Sequence, residues 1–452
     1  MAFHGKRRLA ALTLSVGLLL AGCTGPGGKT ESSASAAESD GVTAAGFKTG
    51  ARWQPDEFVI STLVGLPYGA TETQTKRAVR YHKEAGFNTI EMVNVSAEDM
   101  DMALRACGES GIKVLIGDPD LMPGSQKSDA EILSKMQGYA AYEEAIRGFF
   151  ICDEPAHDPA LYREIAAWSD RLRQLAPTKL MFSNLFPSYG KYTWGNTQNG
   201  YRNTAYARYA DEFFAATDPD VLSVDYYVFA FSTACEADLD RNSLWRDWGY
   251  FRRRSIETGK PFWCYVQSLG EFAAAKRIGN MTGERIAVQV NAAVAYGAKG
   301  ISYYNSLCTL IDERAYKTEL YEAIQAVNRG AAIYGSILLD KAYDELYHTA
   351  VPEALNEPYF ADDLKNSRRF VSLPDGALVS TFTGDAGEVY MMVVNRSYTR
   401  ELSGTAVLKT AADVTVISPE TGAEMPVGGR TDTLDVSLTK GGAALYVLRP
   451  CT

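Results

Sequence analysis

The sequence predicts an α/β protein: a (β/α)8 TIM barrel followed by a small antiparallel β-sandwich. Two observations carry this prediction. Short apolar runs alternate eight times with amphipathic stretches between residues 58 and 336, which is the pattern of parallel strands joined by helical crossovers. Beyond residue 351 the chain changes to closely spaced alternating runs, which are typical of antiparallel strands.

Eight apolar runs are the candidate barrel strands. Helical patterns separate them, such as TKRAVRYHKEAG before the second run and ERIAVQVNAAVAYGA before the eighth. Eight such units match the usual size of a (β/α)8 barrel, about 250 residues. The first run lacks the glycine-rich phosphate loop of a doubly wound sheet. The runs are FVISTLVGL, NTIEMVNV, KVLIGD, GFFICD, KLMFSNLF, DVLSVDYYVF, PFWCYVQ and KGISYYNS.

Composition shifts divide the chain into four parts. We expect a lipoprotein signal peptide at 1–22, a flexible tether at 23–50, the barrel at 51–345 and the sandwich domain at 346–452. The sandwich strands are expected in the runs VSTFTG, VYMMVVNRS, TAVLK, DVTVIS, LDVSL and AALYVLR.

The N-terminus carries an export signal. A basic KRR triplet precedes an apolar stretch that is too short to cross a bilayer as a mature helix. The tetrad LAGC, which ends at Cys23, resembles the lipobox of bacterial lipoproteins and implies that Cys23 becomes the lipidated first residue. A polar, glycine- and serine-rich stretch follows and is typical of a tether. We therefore expect an exported lipoprotein, held at the cell membrane and facing the extracellular or periplasmic side.

The overall composition narrows the class of partner. A net charge of -10 without a basic stripe argues against nucleic acid. The four histidines are scattered, so we expect no metal site and no cofactor. The 26 tyrosines and 6 tryptophans suit the flat faces of sugars, although such rings also fill ordinary cores.

Polar and aromatic residues collect at the ends of the predicted strands, where barrels of this kind hold their active sites. The fourth strand ends in DEP, with Glu154 at its centre, and the sixth in DYY. Strand alternation predicts that Phe150, Cys152 and Glu154 face the barrel axis on the fourth strand, and Asp225 and Tyr227 on the sixth. Glu154 and Asp225 are therefore expected to point into the same mouth.

Three segments resemble the clan A glycoside hydrolases. Their fourth strand ends in Asn-Glu-Pro, which Asp153-Glu154-Pro155 matches with aspartate in place of asparagine. PFWCYVQSLG is similar to the seventh strand of the barrel β-galactosidases of that clan, and GAKGISYY is similar to the segment before their last helix. The resemblance implies a glycosidase in which Glu154 is the acid/base.

The chain departs from this pattern on the seventh strand. The clan's nucleophilic glutamate aligns with Val266, whose neighbour is Gln267, and the nearest carboxylate is Glu271 in the loop beyond. Two carboxylates remain as partners of Glu154. Asp225, which we rank first, predicts a gap of ~6.5–9.5 Å and an inverting mechanism, whereas Glu271 folded over the mouth predicts ~5 Å and retention.

Further rim residues are candidate sugar contacts, because aromatic rings stack on sugars and polar groups bind their hydroxyls. We expect substrate-binding roles for Asp153, Asn184, Tyr227, Trp263, Gln267, Tyr304 and Asn305.

The sequence thus predicts a glycoside hydrolase that cleaves O-glycosidic bonds of a poly- or oligosaccharide at the cell surface by carboxylate acid/base chemistry. The alternative is a non-catalytic glycan-binding lipoprotein with a degenerate barrel. The missing carboxylate on the seventh strand favours the alternative, and the otherwise complete polar rim favours the enzyme.

Overall fold

The computed structural model describes residues 41–190, 204–229, 239, 244–269, 281–351 and 360–450. The predicted signal peptide and Cys23 lie outside these residues. Within the described ranges, no helix is both long enough and apolar enough to cross a bilayer.

Eight parallel strands and eight helices alternate along the described first part of the chain. Seven strands lie within the apolar run that predicted them, and β4 begins two residues before its run. The strands are β1 (Val59–Leu63), β2 (Thr89–Val93), β3 (Lys113–Gly117), β4 (Ile146–Asp153), β5 (Leu180–Asn184), β6 (Leu222–Asp225), β7 (Phe262–Gln267) and β8 (Gly300–Tyr304). The described helices are α1 (Glu72–Glu84), α2 (Ala97–Ser110), α3 (Asp129–Ala140), α4 (Pro159–Leu175), α5 (Thr204–Thr217), α6 (Leu244–Thr258), α7 (Gly283–Ala295) and α8 (Tyr321–Ile337).

The helices begin and end where local chemistry requires. Thr71 and Ser128 cap α1 and α3 through capping boxes, so that each satisfies otherwise unpaired N–H groups of the first turn. Helix α2 ends at Gly111, whose φ of 70° is a left-handed conformation that glycine adopts without a steric cost.

The eight strands close into a barrel. Their order is β5-β4-β3-β2-β1-β8-β7-β6. Leu185, directly after β5, forms a parallel bridge with Val224 of β6, and its N–H donates to the carbonyl of Ser223 at 3.0 Å. The predicted (β/α)8 barrel is confirmed. All active-site candidates on strand ends therefore share one rim.

The segment before β1 packs against the barrel. Phe47 is fully buried and meets the ring of Phe149 edge-on at 6.2 Å. Trp53 meets Trp263 in the same way at 6.1 Å and joins the core inside the barrel. Within the predicted tether, Phe47 therefore packs against the barrel, because its ring supplies apolar surface that the rest of that stretch lacks.

The C-terminal part of the chain is an antiparallel sheet, as predicted. It runs in the order β10-β13-β16-β12-β11-β9, with β14 and β15 also paired to β13. A shift in register along β13 lets its two halves pair with β15 and with β16. The strands are β9 (Ala342–His348), β10 (Phe370–Ser372), β11 (Ala377–Thr383), β12 (Val389–Asn395), β13 (Leu402–Ile417), β14 (Glu424–Pro426), β15 (Thr431–Leu438) and β16 (Ala443–Pro450).

This sheet is buried on both faces along β11, β12 and β16. Val379 and Val393 point into a core that belongs to the sheet itself and also contains residues of β13 and β15. Leu378, Met392 and Leu445 point the other way, into the large core of the barrel's helix layer. The barrel and the sheet therefore share one continuous hydrophobic core.

Candidate active site

Left-handed backbone conformations mark the carboxyl ends of four barrel strands. Val64, Asn94, Glu154 and Asn305 directly follow β1, β2, β4 and β8, with φ of 54°, 56°, 46° and 62°. Such conformations cost about 1–3 kcal/mol each and cluster at functional sites. The strain singles out the rim that carries Glu154.

The register of β4 changes just before its acidic end. Phe150 pairs with Phe182, yet Cys152 pairs with the next residue, Ser183, so β4 contains one extra residue at this point. Phe150 faces the barrel interior, as predicted. The predicted inward position of Cys152 is wrong, because the bulge turns it toward the helix layer. Asp153 lines the cavity at the barrel mouth instead.

Asn184 at the end of β5 holds both acids of β4. The side-chain Nδ2 of Asn184 donates to Asp153 Oδ1 at 3.3 Å, and the backbone carbonyl of Asn184 accepts from the N–H of Glu154 at 2.9 Å. Ser223 Oγ donates to its Oδ1 at 2.9 Å. Because the Asn184 side chain is buried and bonded at both ends, it fixes the orientation of the acidic strand end.

The carboxyl groups of Glu154 and Asp225 are in direct hydrogen-bond contact. Burial and then the charge of Asp153 raise the pKa of Glu154 to about 7, against a smaller lowering by the bond from Asp225. Burial and then the charges of Glu154 and Asp153 raise the pKa of Asp225 well above its ordinary range. The pair therefore holds a proton more tightly than two separate carboxyl groups would.

This contact bears on the predicted roles of the two acids. The prediction that Glu154 and Asp225 point into one mouth is confirmed. The predicted gap of ~6.5–9.5 Å does not fit this contact, because hydrogen-bonded carboxyl groups lie closer together than that. Asp225 is only 1% exposed, and its Oδ1 has no hydrogen-bond partner within the described part of the chain.

The acids open into a cavity of about 360 Å³, at the small end of the range for ligand sites (about 300–1,000 Å³). Tyr227 and Tyr304, two of the predicted sugar contacts, line the cavity, and the centroids of their rings lie 4.8 Å apart. Its lining consists of Leu63, Asp153, Glu154, Asn184, Phe186, Tyr189, Gly190, Asp225, Tyr227, Tyr265 and Tyr304.

Three predicted sugar contacts do not line this cavity. Trp263 lies near the start of β7, where it packs on Trp53 inside the barrel core and is 2% exposed. Gln267 is fully buried, and its side chain accepts from the N–H of Phe229 at 2.7 Å and donates to the carbonyl of Leu269 at 2.9 Å. Asn305 has its Oδ1 buried away from the cavity. A position near a strand end does not guarantee access to the mouth.

Five of the residues that line the cavity were not predicted as site residues, and two of these, Tyr189 and Tyr265, carry hydroxyl groups. Tyr189 follows β5 and accepts a hydrogen bond from the N–H of Tyr227 at 3.3 Å. Tyr265 precedes Val266 on β7 and lines the cavity floor beside Asp225, its partner in the strand register. Alternation along β7 was the available signal for Tyr265, because it places Tyr265 inward and Val266 outward.

A buried carboxyl supports the loop that carries Tyr189. Asp247 of α6 accepts from the N–H of Ser188 at 2.7 Å. Burial raises the pKa of Asp247 to about 7, against the lowering effect of its bonds with Ser188.

Two further sequence predictions concern Glu271 as a catalytic residue and the expectation of no metal site. Glu271 lies outside the described residues. Among those that are described, no group of three or more His, Cys, Asp or Glu side chains is arranged to hold a metal ion.

Comparison with known proteins places the chain by fold. No protein-family model matches the sequence, and no curated protein matches it. The chain is similar to the structure of a glycoside hydrolase family 5 protein from Bacteroides vulgatus, with a TM-score of 0.50, 12% identity, and 87% of this chain and 89% of that chain covered. An Anoxybacillus alpha-amylase gives a TM-score of 0.49, 12% identity, and coverages of 88% and 99%. The likeness to glycoside hydrolases predicted from the sequence is confirmed at the level of fold.

Proposed function

We propose that this chain hydrolyses O-glycosidic bonds, with the Glu154–Asp225 pair as its proton donor. One observation carries the proposal: two carboxyl groups that are hydrogen-bonded to each other line a small cavity at the mouth of a (β/α)8 barrel, and their surroundings raise the pKa of both. Glycoside hydrolysis requires an acid that protonates the leaving oxygen, and an ordinary carboxyl group is ionised at neutral pH. Burial and mutual repulsion remove that obstacle here.

The surrounding residues suit a sugar ligand. Tyr227 and Tyr304 offer aromatic faces at the cavity wall, and the carboxylate of Asp153 offers acceptors for sugar hydroxyls. Asn184 holds Asp153 and Glu154 in fixed directions, as a preorganised acid requires.

A glycan hydrolysis panel tests this function. Wild type is compared with Glu154→Gln, which keeps the shape but cannot donate the proton, on 4-nitrophenyl glycosides and on common polysaccharides. Loss of a general acid costs about 10²–10⁴-fold in rate, so we expect Glu154→Gln to lose at least about a hundredfold. Glu109→Gln, which removes an exposed carboxylate of α2, is the matched control. Equal turnover by wild type and Glu154→Gln would remove Glu154 from catalysis.

A second candidate function is glycan binding without hydrolysis. The observation in its favour is the end of β7, where Val266 is buried in the helix layer and Gln267 is occupied by loop contacts. Neither residue can serve as a nucleophile. Binding of a glycan by wild type without turnover of any member of the panel would select this function.

We further propose that the protein acts at a membrane surface through a lipid on Cys23. The support is the basic, apolar and LAGC sequence that ends at this cysteine. Expression of the full chain in bacteria with radiolabelled palmitate tests this. We expect label and membrane fractionation for wild type and neither for Cys23→Ser; an unlabelled wild-type protein would contradict the anchor.

A further inference from the structure

The contact between Glu154 and Asp225 leaves one chemical role unfilled. A glycosidase acid and the group that attacks the anomeric carbon act from opposite faces of the sugar, with their carboxyls about 5 Å or more apart. Two carboxyls that share a hydrogen bond lie on the same side. Their shared proton makes them a single acid, so the attacking group has to come from another part of the cavity.

Tyr265 occupies the floor of the same cavity. It lies on β7, where it pairs with Asp225 of β6 and Ser302 of β8. Its ring belongs to the core inside the barrel, so the phenol is held rigidly. The position immediately precedes Val266, which aligns with the clan A nucleophile. Strand β7 therefore still contributes a residue with a nucleophilic oxygen to the cavity lining.

A buried carboxyl group is bonded to this phenol. Tyr265 Oη donates to Glu91 Oε2 at 2.5 Å. Glu91 Oε1 accepts from Ser61 Oγ and from Ser302 Oγ, both at 2.6 Å. Glu91 accepts from three hydroxyls and is 2% exposed. Burial raises the pKa of Glu91, against the lowering effect of these three bonds, and a higher pKa makes its carboxylate a stronger base.

We propose that Tyr265 is the catalytic nucleophile and that Glu91 is the base that activates it. Tyr265 Oη attacks the anomeric carbon while its proton passes to Glu91. The glycosidic C–O bond breaks, and the Glu154–Asp225 pair protonates the leaving oxygen. Water then attacks the anomeric carbon and gives one proton to the pair, while the bond from that carbon to Tyr265 Oη breaks. Glu91 returns its proton to the released phenolate.

The electrostatics of the mouth favour this choice of nucleophile. Asp153, Glu154 and Asp225 already crowd it with acidic groups: the charge of Asp153 raises the pKa of Glu154, and the charges of Glu154 and Asp153 raise the pKa of Asp225. A neutral phenol adds no further charge to them. Burial raises the pKa of Tyr265 well above its ordinary range. A free phenolate is thereby excluded at neutral pH, so attack needs the adjacent base that Glu91 supplies.

The inference rests on the proposed hydrolase function, and its first test measures stereochemistry. A substrate from the glycan panel is cleaved, and the anomer first released is identified by proton NMR. Attack by Tyr265 followed by attack by water gives retention. Inversion would overturn the inference and leave the hydrolase function standing. If wild type cleaves no glycan, the hydrolase function fails and this inference fails with it.

The second test removes the phenolic oxygen. We expect Tyr265→Phe to lose at least about a thousandfold in kcat, because no other group replaces the nucleophile. Tyr303→Phe is the matched control: Tyr303 points into the helix layer, where its Oη donates to Asn328 Oδ1 at 2.6 Å. Both variants lose one buried hydrogen bond, so stability is compared by thermal unfolding. A folded Tyr265→Phe variant with kcat within tenfold of wild type would overturn the inference.

The third test locates the covalent bond and the base. Wild type is treated with 2-deoxy-2-fluoroglycosyl fluorides of glucose, galactose, mannose and xylose and digested for mass spectrometry. An adduct on the peptide that contains Tyr265 supports the inference; an adduct on Asp225 or Glu271 overturns it. We expect Glu91→Gln to lower kcat about a hundredfold with KM within twofold of wild type, and a rise in KM with unchanged kcat would remove Glu91 from the base role.

Discussion

Replacing Asp153 with asparagine tests the electrostatics of the acid pair directly. The substitution removes one negative charge beside Glu154 but keeps the side-chain oxygen that accepts from Asn184. The strand end should therefore keep its geometry. What changes is the repulsion that Glu154 feels on ionisation.

The structure sets the size and sign of the effect. The pKa of Glu154 rises from 4.5 to about 7, a difference of about 2.5 pH units, and the charge of Asp153 is its second cause after burial. A charged neighbour shifts the pKa of a carboxyl group by about 1–3 units, and because Asp153 is only the second cause here we expect the low end of that range, about 1 pH unit. A negative neighbour disfavours ionisation, so Asp153→Asn lowers the pKa of Glu154.

Two measurements check this prediction. The basic limb of kcat/KM against pH for the cleaved glycoside should move down by roughly 1 pH unit, and carbon-13 NMR of the glutamate carboxyls should show the same change without turnover. Asp432→Asn on strand β15 is the matched control and should leave both unchanged. A Glu154 titration that stays in place or moves up in Asp153→Asn would refute the electrostatic account of the acid pair.

Three further predictions concern packing, pH and binding. Gly148→Ala should destabilise the fold by about 3 kcal/mol in chemical denaturation, because its Cβ would lie 2.0 Å from a carbonyl oxygen of β5. Gly138→Ala on the open face of α3 is the control and should not destabilise the fold. Equal stabilities of the two variants would contradict the close strand packing. Because the pKa of Asp247 is about 7 when folded and 3.8 in its ordinary state, the folded protein loses stability as pH rises from about 4 to 7, and Asp247→Asn should flatten the Tm profile in that window; an unchanged slope would contradict this. Tyr304→Ala should raise KM up to about tenfold through the loss of stacking, with a smaller effect on kcat, and an unchanged KM would remove Tyr304 from the substrate site.

The barrel was predictable from the sequence because each of its strands is buried on both faces and reads as a short apolar run. The antiparallel sheet was predictable from its alternating runs and turn residues. The packed segment around Phe47 and Trp53 was missed, since a few aromatic residues after a polar stretch reveal a contact only once their partners on the barrel are known.

The candidate site was only partly predictable. Glu154 and Asp225 were found from their strand ends, but their contact depends on a bulge in β4 and a left-handed turn that no periodic pattern announces. Trp263 and Gln267 were misassigned because sequence gives the parity of a strand residue but not its depth along the barrel. The Tyr265–Glu91 hydrogen bond joins β7 to β2 across the barrel interior. The sequence of either strand by itself does not reveal a contact between two strands that are not neighbours in the sheet.

The double-faced burial of strands β11, β12 and β16 has a practical consequence for anyone dissecting this protein. A truncation after α8 would remove Leu378 and Met392 from the core that they share with the helix layer. The apolar side chains of the helix layer that they contact would then be exposed to water. The isolated barrel should aggregate, and the isolated sheet should aggregate as well. Activity measurements on this enzyme candidate thus call for a chain that contains both the barrel and the sheet, and domain shuffling would have to carry both together.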